Sequence, residues 1–414
     1  MGGGASAKRV VQRDVLVVGI DVAKGWHIAA FRRADGWRLG RLRFSNDRSG
    51  FERLLEQAEY LREGRGCRSV AFALEATGHY GHALQGFLTE RGHLVLRVNP
   101  AHTKRAKELE DNSPEKSDPK DAEVIADLAA QGKARLAVFP QGVYADLRRL
   151  AKLRERLVGE RTRVRNRYLG LIDLIFPELP TLVRDPAGRS ILQLLARCPT
   201  PAAIVNHGVN QLQLDLHRWS RGHFRADCAR RIHEAAISTV GISEGLAAAQ
   251  LELRQTMESL VQVERRLREV EQAQADTLAQ VPYADLLRSV PGLGVVTVAT
   301  ILGETGDLRQ YRDADAVIKF AGYNLYTIAS GRQRGRTQIT RRGRPLLRRH
   351  LFLAACRLCK TGAPLSSFRR RLFDRKPGPV VMVGGCRKLL RLLVAIVRDG
   401  KPYEPGRLGV PTAA

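Results

Sequence analysis

The chain has 414 residues, 44% of them hydrophobic, and a formal net charge of +27. It is long enough for two or three domains with real cores, which excludes a disordered chain. The charge points to a polyanionic partner, usually nucleic acid, although a ribosome-associated or merely soluble basic protein shares it.

In chain order, residues 15–23 (VLVVGIDVA) read as a buried strand. His27–Arg32 and Arg41–Ser45 are two shorter strands with a turn at Gly36, as in a hairpin. Asn46 or Asp47 can cap a helix whose apolar stripe is Phe51, Leu54, Leu55, Ala58 and Leu61. Val70–Leu74 is another buried strand, ending at Glu75, and a helix through Leu84, Phe87 and Leu88 stops at Gly92. Leu94–Val98 is a fifth strand, closed by Asn99-Pro100. After a polar stretch a helix runs from near Pro119 to Gly132. Three strands, helix, strand, helix, strand, helix is the order of an α/β domain with a mixed sheet, and the order expected of an RNase H-like fold.

Residues 143–176 predict a long basic helix, and Asp185–Gly241 is mixed. Gly245–Leu278 predicts a second long helix with an apolar seam at Leu246, Leu253, Met257, Leu260, Val263, Leu267 and Val270. Those steps of three and four suit a coiled coil or helical hairpin that offers an oligomer contact, and suit packing within the chain equally well. Residues 286–360 predict a compact helical unit, followed by a helical segment over 363–399. The domains expected are therefore 14–135, 140–280 and 283–404.

The charge is uneven. Residues 281–414 carry 25 Lys/Arg against 8 Asp/Glu, while 1–140 carry 23 against 18. The last third is the place for the strongest phosphate contacts. No apolar run reaches the length of a membrane span, and the N-terminus lacks the apolar core of a signal peptide. Six cysteines suggest no disulfide framework, so a reduced, cytoplasmic protein without a membrane partner is expected. Cys356 and Cys359 form a lone CxxC in an apolar helix, without a second pair at zinc-ribbon spacing.

Four acids stand out. Asp21 and Glu75 lie at strand ends, where sites of open sheets are assembled. Asp118 and Asp121 are three apart at a helix start and project from one face. Four carboxylates in one place repel, and Mg²⁺ or Mn²⁺ removes that cost. Two such ions can activate an attacking oxygen and stabilise a leaving one at phosphorus. Asp118-Pro119-Lys120-Asp121 is also a good helix cap, so the joint placement carries the metal reading.

Leu286–Leu302 resembles a helix–hairpin–helix, with Gly292 and Gly294 allowing backbone N–H groups to approach a phosphate. An ordinary bend between helices fits as well. Ser330–Arg349 holds eight arginines and no acid. Arg332, Arg334, Arg336, Arg341, Arg342 and Arg344 are candidate phosphate ligands. By its residues alone Ser330-Gly331 is a turn, since a serine hydroxyl is a weak nucleophile unless activated.

GIDVAK, LEATGHYG, VNP and KSDPKDAEVIADL resemble the N-terminal DEDD domain of the insertion-sequence one-hundred-ten transposases, a domain similar to the RuvC Holliday-junction resolvase. SVPGLGVVTVATILGETGDL, KFAGY, SGRQRGRTQITRRGRPLLRRHLFLAA and RKLLRLLVAIVRDGKPY resemble that family's C-terminal transposase domain. The resemblance covers roughly residues 14–135 and 283–404. The middle segment, about 140–280, is longer than the family leads one to expect.

The resemblance implies a RuvC-like metal site at Asp21, Glu75, Asp118 and Asp121. It implies Ser330 as the nucleophile that forms a covalent phosphoserine link to DNA. It further implies donor and target DNA, a non-coding bridge RNA that pairs with both, and a homo-oligomer, dimer or tetramer, in the prokaryotic cytoplasm beside the nucleoid. One protomer's metal site would work with another's serine. Two other readings keep the basic C-terminal segment: a RuvC-like junction-resolving nuclease that uses water, and a non-catalytic nucleic-acid-binding protein.

Overall fold

The computed structural model describes residues 14–75, 79–111, 118–136, 141–327, 335, 337–360, 362–373 and 375–405. It opens with an antiparallel meander of β1 (Val15–Val22), β2 (Trp26–Arg33) and β3 (Arg38–Ser45). The first hairpin bends at residues 23–25, and Gly36, at φ +109°, turns β2 into β3. That angle strains any side chain, which is why glycine stands there. Asp47 caps α1 (Arg48–Gly64), its carboxylate accepting from the Gly50 N–H at 2.8 Å. Asn46, the other candidate cap, donates instead to the Lys24 carbonyl at 3.1 Å.

Next come β4 (Ser69–Glu75), α2 (His82–Glu90), β5 (Leu94–Val98), α3 (Pro100–Asp111), α4 (Asp118–Ala130) and β6 (Arg135–Leu136). The sheet runs β3-β2-β1-β4-β5-β6, with β1, β4 and β5 parallel and β6 antiparallel to β5. This mixed α/β sheet is consistent with a RuvC-like DEDD domain. α3 and β6 were not expected. α3 fills the stretch read as merely polar: the Asn99 side chain accepts from the Ala101 N–H at 3.0 Å, and Pro100 takes the first helical position.

Alternation along β1 and β4 divides the sheet into two faces. Leu16, Val18, Ile20, Phe72 and Leu74 pack with Phe51 and Leu54 of α1. Val15, Val17, Ala71 and Ala73 pack with Val124, Ile125 and Leu128 of α4.

The rest of the chain forms α5 (Val143–Ile175), α6 (Leu179–Leu182), α7 (Arg189–Arg197), α8 (Pro201–His207), α9 (Val209–Ser220), α10 (Ala226–Ile237) and α11 (Leu246–Leu278). Then follow α12 (Ala284–Arg288), α13 (Val295–Thr305), α14 (Ala314–Ala321), β7 (Leu325–Thr327), β8 (Thr337–Ile339), α15 (Pro345–Leu358), α16 (Ser366–Phe373) and α17 (Gly378–Asp399). Packing divides the chain into two units, residues 1–139 with 307–343, and 140–306 with 344–414. The stretch expected to be one helical unit over 286–360 is thus divided, and it contains an antiparallel hairpin of β7 and β8.

In the second unit α5 and α11 run antiparallel. Arg154 donates to Glu271 at 2.8 Å and Arg161 to Glu264 at 3.5 Å, so one helix ascends as the other descends. Leu157 packs with Val263, Leu267 and Val270. The seam of α11 is therefore covered within its own chain, and Leu253 and Met257 continue it into the core shared with α7, α9 and α10. Gly303 lets α13 lie on α5, because a Cβ there would come within 2.7 Å of the Arg148 amide. Cys356 and Cys359 face α17, with the Cys356 Sγ 3.8 Å from the Met382 Sδ and the Cys359 Sγ against Gly385. Among the described residues no helix is long and apolar enough to cross a membrane.

Candidate functional site

The parallel register of β1 and β4 pairs Ile20 with Leu74, so the next positions, Asp21 and Glu75, lie side by side at the ends of their strands. Both are half-buried. By alternation both belong to the face that α4 covers. Gly19 sets how closely α4 approaches: a Cβ there would stand 2.3 Å from the Ala126 nitrogen and 2.4 Å from the Ala122 oxygen. Asp121 precedes Ala122 and is 8% exposed. The Lys107 ammonium of α3 pairs with it.

Burial pushes the Glu75 carboxyl above the usual carboxylate range, and the Asp121 charge adds to that. A hydrogen bond from Thr103 and the Lys107 ammonium pull it partly back. Thr103 is itself buried on α3. Glu75 and Asp121 are thus electrically coupled, and Asp21 neighbours Glu75 through the sheet. Asp118 opens α4, and its side chain lies outside the described residues.

Among the described residues no group of three or more His, Cys, Asp or Glu is already gathered as a metal cage. The donor chemistry nonetheless fits a hard divalent cation: carboxylate oxygens from two strands and one helix, one of them destabilised as an anion by burial and a like-charged neighbour. Thr103 and Lys107 were missed in the sequence. Their signal was the Asn-Pro helix start of α3, which places them on one face four residues apart.

In the C-terminal third, Gly292 is exposed at φ +91°, in the turn between α12 and α13. A Cβ would find room there, with its nearest neighbour 3.8 Å away, so the backbone angle is what calls for glycine. Gly294 is the exposed N-cap of α13, with extended backbone. Ser330, Arg332, Arg334 and Arg336 lie outside the described residues. Arg341 and Arg342 are exposed, and Arg341 holds φ +52° while its N–H donates to the Gly322 carbonyl at 3.1 Å. Arg344 differs from the expectation of a phosphate ligand. Its guanidinium is mostly covered and lies 3.4 Å from Glu304, a carboxylate only 3% exposed that also faces Arg148 at 3.7 Å. A buried carboxylate needs a counter-charge, and Arg344 supplies one.

Two stretches of the chain match one family. Residues 18–177 match the DEDD transposase model of the IS110 type, and residues 284–368 match the transposase IS116/IS110/IS902 family. The chain belongs to the IS110/IS116 family of transposases. The first matched stretch contains Asp21, Glu75, Asp118 and Asp121; the second contains Gly292, Gly294, Ser330 and the arginine run. The transposase is 26% identical over 396 residues to the 44.8 kDa protein of insertion element IS116 from Streptomyces clavuligerus, covering 95% of this chain and 97% of that one. It is 29% identical over 298 residues to the 43.6 kDa protein of insertion element IS110 from Streptomyces coelicolor, covering 70% and 72%. It is also 22% identical over 348 residues to the transposase for insertion sequence element IS1111A from Coxiella burnetii, covering 84% and 79%. The transposase is thus a DNA transposase/recombinase enzyme. Its DEDD domain implies dependence on a divalent metal.

Proposed function

We propose that this transposase cuts and rejoins DNA at a divalent metal held by Asp21, Glu75, Asp118 and Asp121, with Ser330 as nucleophile. The observation that carries this reading is the adjacency of Asp21 and Glu75 in register, with Asp121 coupled to Glu75 from α4. Mg²⁺ or Mn²⁺ bound there supplies Lewis acidity to the scissile phosphate.

Asp21, Glu75, Asp118 and Asp121 would hold the cation through their carboxylate oxygens. Arg332, Arg334, Arg336, Arg341 and Arg342 hold the phosphodiester by charge-assisted hydrogen bonds. Ser330 gives up its hydroxyl proton as its oxygen bonds to phosphorus, and the phosphorus–oxygen bond to one deoxyribose breaks, releasing that oxygen as a hydroxyl. The phosphoserine link conserves the diester for rejoining, which a water nucleophile does not. Gly292 and Gly294 present backbone N–H groups to a DNA phosphate. Following the family resemblance, donor and target DNA are selected by a bridge RNA, and a homo-oligomer in the cytoplasm combines one protomer's metal site with another's serine.

The test is a covalent-adduct assay with purified transposase, Mg²⁺, the element's own RNA and labelled donor and target DNA on a denaturing gel. A protein–DNA adduct that disappears in Ser330→Ala and in Asp118→Ala with Asp121→Ala supports the mechanism. Cleavage that persists in Ser330→Ala without any adduct sinks the serine role and leaves a hydrolytic, RuvC-like nuclease.

A further inference from the structure

Residues 178–283 lie between the two stretches that match the family. Much of that segment walls a cleft of about 2090 Å³ in the second unit, between α7 and the paired helices α5 and α11. The volume is about twice the upper end for small-molecule pockets. Its charge is basic. On α11, Arg254, Glu258, Val261, Arg265 and Arg268 line the cleft at steps of four and three, one acid against three arginines. Arg161 and Arg165 line it from α5 and Arg189 from α7.

Two of the three acids that line the cleft are engaged. Asp185 pairs with Arg165 at 2.7 Å and Glu264 with Arg161 at 3.5 Å. Arg189, Arg254 and Arg268 are exposed and have no carboxylate within ion-pair distance among the described residues. The α11 stripe spans fifteen residues, Arg254 to Arg268, about 21 Å of helix. One strand of a duplex presents a phosphate every ~3.4 Å of axis, so that length matches about six phosphates.

We propose that this cleft is a second DNA-binding site of the transposase, which seats the backbone of one strand of duplex DNA without reading its sequence. Three observations choose this occupant. The arginines without a carboxylate partner concentrate uncompensated positive charge within one cleft, which favours a polyanion. Among the described lining residues none is aromatic, so single-stranded bases find no stacking platform. A second copy of this chain would bring its own excess positive charge to the cleft. The exposed Leu251 and Val261 also line the cleft, where long arginine side chains can cover apolar surface with their alkyl stems and keep their charged heads in solvent. The site adds DNA affinity at a distance in sequence from the catalytic residues, and it does not depend on the metal or on Ser330.

The experiment uses the full chain with labelled mixed-sequence duplex DNA in EDTA, where no chemistry occurs, and follows affinity against salt. Arg189→Gln with Arg254→Gln and Arg268→Gln is expected to weaken binding and to lower the slope of log K against log salt by about 3, near one unit for each phosphate no longer neutralised. The corresponding triple lysine variant keeps the charge and is expected to restore the slope. Arg163→Gln with Arg167→Gln and Arg231→Gln removes the same charge from exposed positions outside the cleft and is expected to leave the slope near wild type. A cleft variant that binds like wild type, or like this control, overturns the proposal. An equal or larger loss with duplex RNA of the same sequence overturns the choice of DNA.

Discussion

The Lys107 ammonium of α3 pairs with the Asp121 carboxylate of α4, and the same ammonium acts on Glu75 at the end of β4. A cation bound by these carboxylates must compete with that ammonium. Lys107→Met is therefore expected to bind Mn²⁺ about tenfold more tightly, equivalent to ~1.4 kcal/mol, in a calorimetric titration. Asp121→Asn is expected to weaken the same binding. Equal affinities for Lys107→Met and wild type would show that Lys107 stays clear of the metal position.

Gly19 is the contact through which α4, and so Asp121, meets the sheet. Gly19→Ala would put a methyl group 2.3 Å from the Ala126 nitrogen and so force α4 outward. The expected cost is about 1–3 kcal/mol in urea unfolding, as for other overpacked cores. Metal affinity is expected to fall as well, because Asp121 moves with its helix. A variant with native stability and native metal affinity would contradict this packing.

Glu75 has its carboxyl pKa raised by burial. A carboxyl whose folded pKa lies above its unfolded value opposes folding when ionised, and that penalty disappears as pH falls through the folded pKa toward 4.5. Metal-free Glu75→Gln is therefore expected to melt higher than metal-free wild type at neutral pH, with the gap closing in acid. In the wild type, Mn²⁺ affinity should fall as pH drops through the Glu75 folded pKa, since binding requires the ionised form. A melting difference that ignores pH would refute the assignment.

His350 on α15 behaves in the opposite sense. Burial, with Arg154, Arg349 and Arg357 nearby, pushes its pKa down to about 4. The neutral ring is the folded form, so its stability contribution is complete above about 6.5 and is lost as pH falls from there toward about 4. The slope from this one group is at most roughly 1.4 kcal/mol per pH unit. His350→Leu is expected to remove that slope in denaturant midpoints measured across the window. An unchanged slope would mean that His350 is protonated in the folded protein.

Glu304 is the shared carboxylate of Arg148 and Arg344. Glu304→Gln leaves two largely covered guanidinium groups facing a neutral amide, and the expected loss is about 3 kcal/mol in chemical denaturation. Since Arg344 stands within the arginine run at the N-cap position of α15, weaker DNA binding by Glu304→Gln is expected as well. A neutral effect on both would show that the pair is replaceable.

The sequence alone was enough for features whose causes are local. The alternation of β1, the cap at Asp47, the glycine turn at Gly36 and the apolar seam of α11 each follow from a period or a backbone angle set within a few residues. The strand-end positions of Asp21 and Glu75 were legible for the same reason, and the spacing of Asp118 and Asp121 needed only a helix. What the tertiary structure decided depends on partners distant in the chain. Asp21 and Glu75 become neighbours through the register of two strands 54 positions apart. Lys107 reaches Asp121 because α3 exists, in a stretch whose weak apolar pattern hid it behind a correct Asn-Pro start. Arg344 turns from the phosphates to Glu304, forty residues upstream, because a buried carboxylate must find its counter-charge wherever the packing brings one. The seam of α11 was fully visible as a pattern, but a pattern shows only that an apolar face will be covered. That α5 of the same chain covers it was a matter of which surface the fold placed there.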